Sequence, residues 1–456
     1  MSASASLMDR VRSIFSGESL RDRTLTGGAI LIVGEVYSNG LRLLSNLIMT
    51  RLLYPEAFGI MLVVNLVFAA LQMLSDVGIR SAIISREGEL DRRFVNVAWT
   101  IMIIRGVVLG AIAAALAHPI AVWYGQEQLF GLILLASVAP VISGFASPYP
   151  RVAERNVKLV RVTVWEGVSQ TAALCITLAW LAIHPTIWAL AAHGVFAALI
   201  MVVSSFLMFP SRGLRLEWDS PTVMELFHFG KWVVLGTALT FLGRQGDSLI
   251  VSRFLDFETL GVFSIAISFA KLVEMLAERF SWSLLFPVYS EMKSNVADAF
   301  TRNTTRLRLA IYAICFPIVL FLSLGGRVFI DVLYDDRYAE AGWMLEVLAL
   351  GMGWYVIAAT VNSLPLAYGD SRRHMWLQFY RVASVLVSMV VGGWLYGTVG
   401  LIWGIAVGQI VYYPFLRAGT LKYRPGGYLA DLAFGLGSVA LVALFWSVRG
   451  WPMPTG

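Results

Sequence analysis

Five basic side chains stand where a base is hard to keep. Arg42, Arg105, Arg244, Lys271 and Arg381 each fall near the middle of a long apolar run. If such a run crosses a bilayer, a charge at its centre costs roughly 2.5 to 3.5 kcal/mol. Bases so placed need carboxylate partners or a wet cavity. Carboxylates do stand at helical spacing from three of them: Glu35 precedes Arg42 by two turns, Asp247 follows Arg244 by one, and Glu274 follows Lys271 by one. Glu278 extends the Lys271 stripe down the same face. Two chemistries fit this pattern. In one, ion pairs lock helices together. In the other, the bases line a polar crevice and hold an anion, because a guanidinium fork donates two parallel hydrogen bonds to a phosphate and lysine adds a compact charge. A diphosphate suits that set, with Glu35, Asp247, Glu274 and Glu278 orienting the bases or carrying a coupling proton or sodium ion. Cys175 and Cys315 lie far apart inside apolar runs and the five histidines lack metal-ligand spacing. No catalytic residue, metal or other cofactor is therefore expected.

The chain that positions these groups is built for lipid. Of its 456 residues 58% are hydrophobic and 14% charged, against about 25% charged in an ordinary soluble domain, which excludes a soluble enzyme. Thirteen apolar runs are long enough to cross a hydrocarbon core. They cover 28–50, 59–79, 95–117, 129–147, 162–183 and 187–209, then 232–252, 260–284, 309–326, 341–367, 374–396, 399–416 and 428–446. The segments between them alternate in charge: the N-terminal tail and every second loop after it hold 24 Lys or Arg, the others 5. The positive-inside rule places the tail in the cytoplasm. Because the net charge of +6 is dispersed over short loops, no nucleic acid partner is expected.

The first two runs recur 202 residues later, aligning Gly34 with Gly236, Arg42 with Arg244, Arg51 with Arg253, Glu56 with Glu258 and Gly59 with Gly261. The expected fold is an all-α polytopic membrane protein. A basic cytoplasmic tail occupies 1–27, two six-helix lobes related by a pseudo-two-fold axis occupy 28–210 and 211–426, and one extra helix with its tail occupies 427–456. Two-lobed membrane proteins of this kind commonly hold a substrate at mid-membrane and rock about it. Gly400, Gly404 and Gly408 form a ladder that permits close helix approach. Trp99, Trp165, Trp282, Trp354, Trp376 and Tyr380 are candidates for stacking on sugar rings, though interfacial belts account for most membrane aromatics.

At the first and seventh runs a family pattern emerges. The stretch from Ser45 to Gly59, with Arg51, Tyr54, Pro55, Glu56 and Phe58, resembles a signature of the polysaccharide transporter (oligosaccharide flippase) family. So do Leu74 to Arg86, Asp247 to Ser264, and the trio Leu285, Phe286 and Pro287. The family belongs to the multidrug, oligosaccharidyl-lipid and polysaccharide exporter superfamily. Its members usually have an even number of spans, from which thirteen departs. The resemblance implies a flippase of the bacterial inner membrane that moves undecaprenyl-diphosphate-linked oligosaccharide by alternating access, for exopolysaccharide, lipopolysaccharide or capsule synthesis. It also implies membrane lipids, a glycan polymerase and glycosyltransferases as partners. The family's cationic cavity carries over to Arg42 and Arg244; Arg51, Glu56 and Gly59 suit a structural turn and interface. Alternatives are a multidrug exporter of organic cations, which needs Glu35, Asp247 and Glu274 unpaired, a membrane-embedded polymerase or acyltransferase, whose large loop or histidine motif is not visible, and a scaffold for a glycan assembly complex.

Overall fold

The computed structural model describes residues 20–75, 79, 83, 91–156, 158–209, 211, 213–292, 298–423 and 426–454. Arg10 and Arg12 of the basic tail, and most of the second signature segment from Asp76 to Arg86, lie outside the described residues. Fifteen α-helices follow among them: α1 (Leu20–Leu52), α2 (Pro55–Leu74), α3 (Arg92–Tyr124), α4 (Gln128–Gly144), α5 (Tyr149–Arg155), α6 (Leu159–Ile183), α7 (Ile187–Met208), α8 (Ser220–Phe254), α9 (Phe257–Phe280), α10 (Phe286–Met292), α11 (Asp298–Leu333), α12 (Ala341–Asn362), α13 (Leu364–Ala367), α14 (Ser371–Thr420) and α15 (Tyr428–Arg449). No strand occurs among the described residues. Nine described segments are long and apolar enough to cross a membrane, and the bent pair α4 and α5 makes a tenth. The chain is all-α and polytopic, as its composition requires.

Helix ends obey local chemistry. Asp91, Asp256 and Asp370 stand before α3, α9 and α14 and accept hydrogen bonds from the backbone N–H groups of Arg93, Thr259 and Arg373, satisfying donors that no helical carbonyl can reach. Gly125 ends α3 in the left-handed region, at φ 64°.

Contacts divide the chain into two units. Unit 1 comprises Met1–Leu53 and Val67–Thr237. Within it α3 lies on α4, α7 packs against both α4 and α6, and α1 rests on α6, where the Tyr37 and Thr171 hydroxyls meet at 2.6 Å.

Unit 2 comprises Tyr54–Leu66 and Ala238–Gly456. Its core is α12, buried at every position from Ala341 to Val361 and enclosed by α9, α11 and α14. Repeat-related residues touch reciprocally here. A Cβ on Gly59 would overlap the Phe257 carbonyl, and one on Gly261 would overlap the Pro55 carbonyl. The glycine of the repeated Arg-Glu-Gly pattern is thus an interface device, because nothing larger allows that approach.

As one rod, the 50 residues of α14 would run about 75 Å, more than twice a hydrocarbon core of about 30 Å. The backbone instead breaks at Tyr396 and Gly397, the latter at φ 59°. The two arms fold back antiparallel: Gly404 lies against Met389 and Gly408 against Val385. The Gly400 ladder is the seam of this hairpin.

Asp370 ties the hairpin's open end. Its carboxylate accepts from Lys422 Nζ at 2.5 Å and from the Tyr423 hydroxyl at 2.8 Å. These bonds, the Lys422 one foremost, and the Arg373 backbone N–H hold its carboxyl well below the ordinary value of 3.8. A carboxylate with a depressed folded-state pKa stabilises fully above its unfolded value and loses that effect as pH falls through the folded one. Melting curves of the wild type and Asp370→Asn are therefore expected to differ by a constant amount at neutral pH. The two should converge only below 3.8.

Two ion-pair groups hold α15 in unit 2. Near its start, Arg308, 1% exposed, meets Asp431 at 2.5 Å and donates to the Gly426 carbonyl at 2.6 Å and the Tyr312 hydroxyl at 3.0 Å. At its end, Arg449 donates to the buried Glu346 carboxylate at 2.9 Å, which also accepts from the Arg327 backbone N–H at 3.1 Å.

Candidate functional site

Each unit carries a polar cluster inside its apolar helices, and the two differ in electrostatic character. In unit 1, α1 places Glu35, Asn39 and Arg42 on one stripe, one turn apart. Asn39 donates to the Glu35 carbonyl at 2.9 Å and to Glu35 Oε1 at 3.1 Å, while its own side-chain oxygen accepts from Arg42 Nη2. Asn39 thus stands between the acid and base that the sequence pairs directly. Arg42 has no carboxylate within ion-pairing distance among the described residues, and its side chain bonds only within its own helix. The stripe, with Gln170 of α6 and His193 of α7, lines a cleft of about 310 Å³. His193 Nδ1 meets the Thr177 hydroxyl at 2.9 Å. Only the fold brings this histidine to the α1 stripe.

In the unit 2 cluster Arg244, Lys271 and Arg381 each have an acid. Arg244 Nη2 lies 3.3 Å from Glu278 Oε2, and Lys271 Nζ lies 3.3 Å from Asp247 Oδ2 and donates to the Arg244 carbonyl at 2.8 Å. Arg381 Nη1 lies 4.0 Å from Glu274 Oε1, and its guanidinium stands 5.3 Å from the Tyr355 ring centre. Tyr355 donates to Glu278 at 2.6 Å. The pairs therefore close between helices α8, α9 and α14. The one-turn pairing within single helices, Arg244 with Asp247 and Lys271 with Glu274, does not form. The three positive and three negative groups cancel, around a void of about 30 Å³. That holds one or two water molecules, not a phosphate. Gln409, also at this void, has a buried side-chain oxygen without a partner among the described residues.

Arg105 belongs to neither cluster. Its guanidinium donates to the Gln72 carbonyl at 3.0 Å and the Ser75 hydroxyl at 3.1 Å, at the end of α2. A cation beside the last turn of α2 faces the negative end of the helix dipole. Of the aromatic candidates, Trp165 and Trp354 are buried in packing, Trp99 donates to the Phe145 carbonyl, and Trp376 and Tyr380 are exposed.

Known proteins share this architecture. The structure is similar to a lipid II flippase, MurJ, in an inward closed conformation, with a TM-score of 0.69 at 13% identity, covering 91% of this chain and 92% of that one. It is also similar to an inward-facing multidrug resistance MATE family transporter of the MOP superfamily, with a TM-score of 0.58 at 14% identity, covering 90% and 96%. In sequence the chain is 20% identical to the lipopolysaccharide biosynthesis protein WzxC of Escherichia coli, over 86% of this chain and 80% of that protein. It is 22% identical to the succinoglycan biosynthesis transport protein ExoT of Rhizobium meliloti, over 79% and 72%. Residues 48–342 match the model of a family described as polysaccharide biosynthesis protein. That match covers more than half the sequence, including the signature around Arg51 and its recurrence around Arg253, and the chain belongs to that polysaccharide biosynthesis protein family.

Proposed function

We propose that this protein translocates polyprenyl-diphosphate-linked oligosaccharide units across the bacterial cytoplasmic membrane by alternating access, supplying polysaccharide assembly without chemistry of its own. The observation that carries this reading is Arg42: an arginine deep in an apolar helix, facing a cleft and unmatched by any described carboxylate. A guanidinium at membrane depth without a carboxylate partner is costly, and an anion arriving in the cleft, to which Arg42 is exposed, offsets that cost through charge-assisted hydrogen bonds. Arg244, Lys271 and Arg381 form a neutral reserve whose bases reach a diphosphate only when Glu278, Asp247 and Glu274 let go. Protonation or sodium binding at those acids, or at Glu35, would release the bases, which is how coupling enters. A glycan polymerase and glycosyltransferases would be the protein's pathway partners, and its N-terminus would lie in the cytoplasm.

Names of relatives support the pathway, since WzxC and ExoT are described by lipopolysaccharide and succinoglycan biosynthesis. Export of organic cations is less well supported, because Asp247, Glu274 and Glu278 are each engaged by a base. The test is a strain lacking the protein. Lipid-linked oligosaccharide is expected to accumulate there in a form protected from glycosidase added outside the cytoplasmic membrane, and the wild-type gene should restore access. Accumulated material already open to the enzyme would overturn the proposal.

A further inference from the structure

Where α14 folds back on itself, the open end of the hairpin carries a groove of about 510 Å³ that the transport reading does not use. Its walls come from both arms: Arg372, Arg373, Trp376 and Tyr380 from one, Phe415 from the other. Tyr380 and Phe415 stack at 5.3 Å with planes 17° apart, yet they remain 39% and 46% exposed and Trp376 is 43% exposed. The apolar surface continues along both arms at helical spacing, through Val387 on the first and Val411 on the second, 60% and 42% exposed. From Trp376 to Val387 the helix rises about 16 Å, close to half of a hydrocarbon core of about 30 Å.

The rim is cationic. Arg373 is held by Asp370 at 3.8 Å and donates to the Gly419 carbonyl, and Lys422 also engages Asp370. Arg372 is exposed and has no partner among the described residues. Three bases against one acid leave the rim positive, at the end of the hairpin that the loop-charge bias assigns to the cytoplasm. A charged rim above an apolar channel one leaflet deep matches one kind of molecule: a chain lipid with an anionic head.

We propose that this groove is a binding site for an anionic glycerophospholipid of the cytoplasmic leaflet. The phosphate sits at Arg372 and Arg373, and one acyl chain lies over Trp376, Tyr380 and Phe415 toward Val387 and Val411. Basic pockets between membrane helices on the cytoplasmic side are suited to such head groups. The channel's depth fits an acyl chain within one leaflet, whereas a polyprenyl chain would overrun it.

Quenching of tryptophan fluorescence by brominated lipids tests this on the purified full chain in neutral detergent. Brominated phosphatidylglycerol is expected to quench at lower concentration than brominated phosphatidylcholine, and Trp376→Phe should remove the difference. Arg372→Ala, which breaks no contact in the fold, is expected to weaken the phosphatidylglycerol response about fivefold, and Arg372→Lys should retain it. Equal quenching by the two lipids, or an unchanged preference in Arg372→Ala, would overturn the site. Displacement of bound phosphatidylglycerol by equimolar undecaprenyl diphosphate would overturn the assignment to a glycerophospholipid. None of these readouts involves transport, so failure of the flippase reading leaves the test intact.

Discussion

Replacing Asp431 with alanine is expected to destabilise unit 2 by about 3 to 5 kcal/mol, the usual cost of stranding one member of a buried ion pair. Arg308 and Asp431 are only 2% and 5% exposed in their side chains, so no solvent relieves the orphaned guanidinium. The carboxylate also accepts from Tyr312 at 2.8 Å and Tyr413 at 3.2 Å, and both hydroxyls lose that acceptor too. Replacing both partners with apolar residues of similar size, Arg308→Met with Asp431→Leu, should recover most of the loss, since isosteric replacement of a buried pair is often neutral or better. Thermal unfolding of detergent-solubilised protein, followed by retention of monodisperse material, measures both. A single alanine variant within 1 kcal/mol of the wild type would show that the pair contributes little.

The second large effect concerns transport. Arg42→Ala is expected to reduce translocation of lipid-linked oligosaccharide by about tenfold or more, because a hydrogen bond to a charged group contributes about 1.5 to 3 kcal/mol. Protein abundance should barely change, since the Arg42 side chain bonds only to Asn39 on the same helix. Arg381→Ala should behave in the opposite way and lower abundance first. That residue joins Glu274, Gln378 and the Tyr355 ring across three helices. Initial rates in inverted vesicles, normalised to protein content, separate the two. Full-rate transport by Arg42→Ala at normal abundance would remove this residue from the anion site.

How far the sequence foretells these outcomes depends on what a linear pattern can carry. Burial preference is local to each residue, so helices and their lipid setting follow from composition, and the interface glycines at positions 59 and 261 follow from the repeat. Pairing between helices is not local. Asp247 stands one turn from Arg244, but in the fold it serves Lys271; Glu274 stands one turn from Lys271 and serves Arg381. Arg105 reads as a mid-membrane charge because its own helix is long, whereas the Gln72 carbonyl and the Ser75 hydroxyl beside it supply the acceptors it holds. Arg308 reads as a loop base just before an apolar run, and Asp431, inside the last such run, passes unnoticed. Only the packing of α11 and α15 brings them together. Asn39 was legible in principle, lying on the stripe between Glu35 and Arg42.

The two anchors of α15 also bear on how the protein is made. Asp431 emerges from the ribosome 123 residues after Arg308, and Arg449 emerges 103 residues after Glu346. Until α15 arrives, the nascent chain carries Arg308 without its carboxylate, while Glu346 has Arg327, 3.9 Å away, as its base. Arrival of a single late segment gives Arg308 its acid and Glu346 a second base. Chains that stop short of it keep Arg308 as a cation without its counter-charge, the costly half of a broken buried pair.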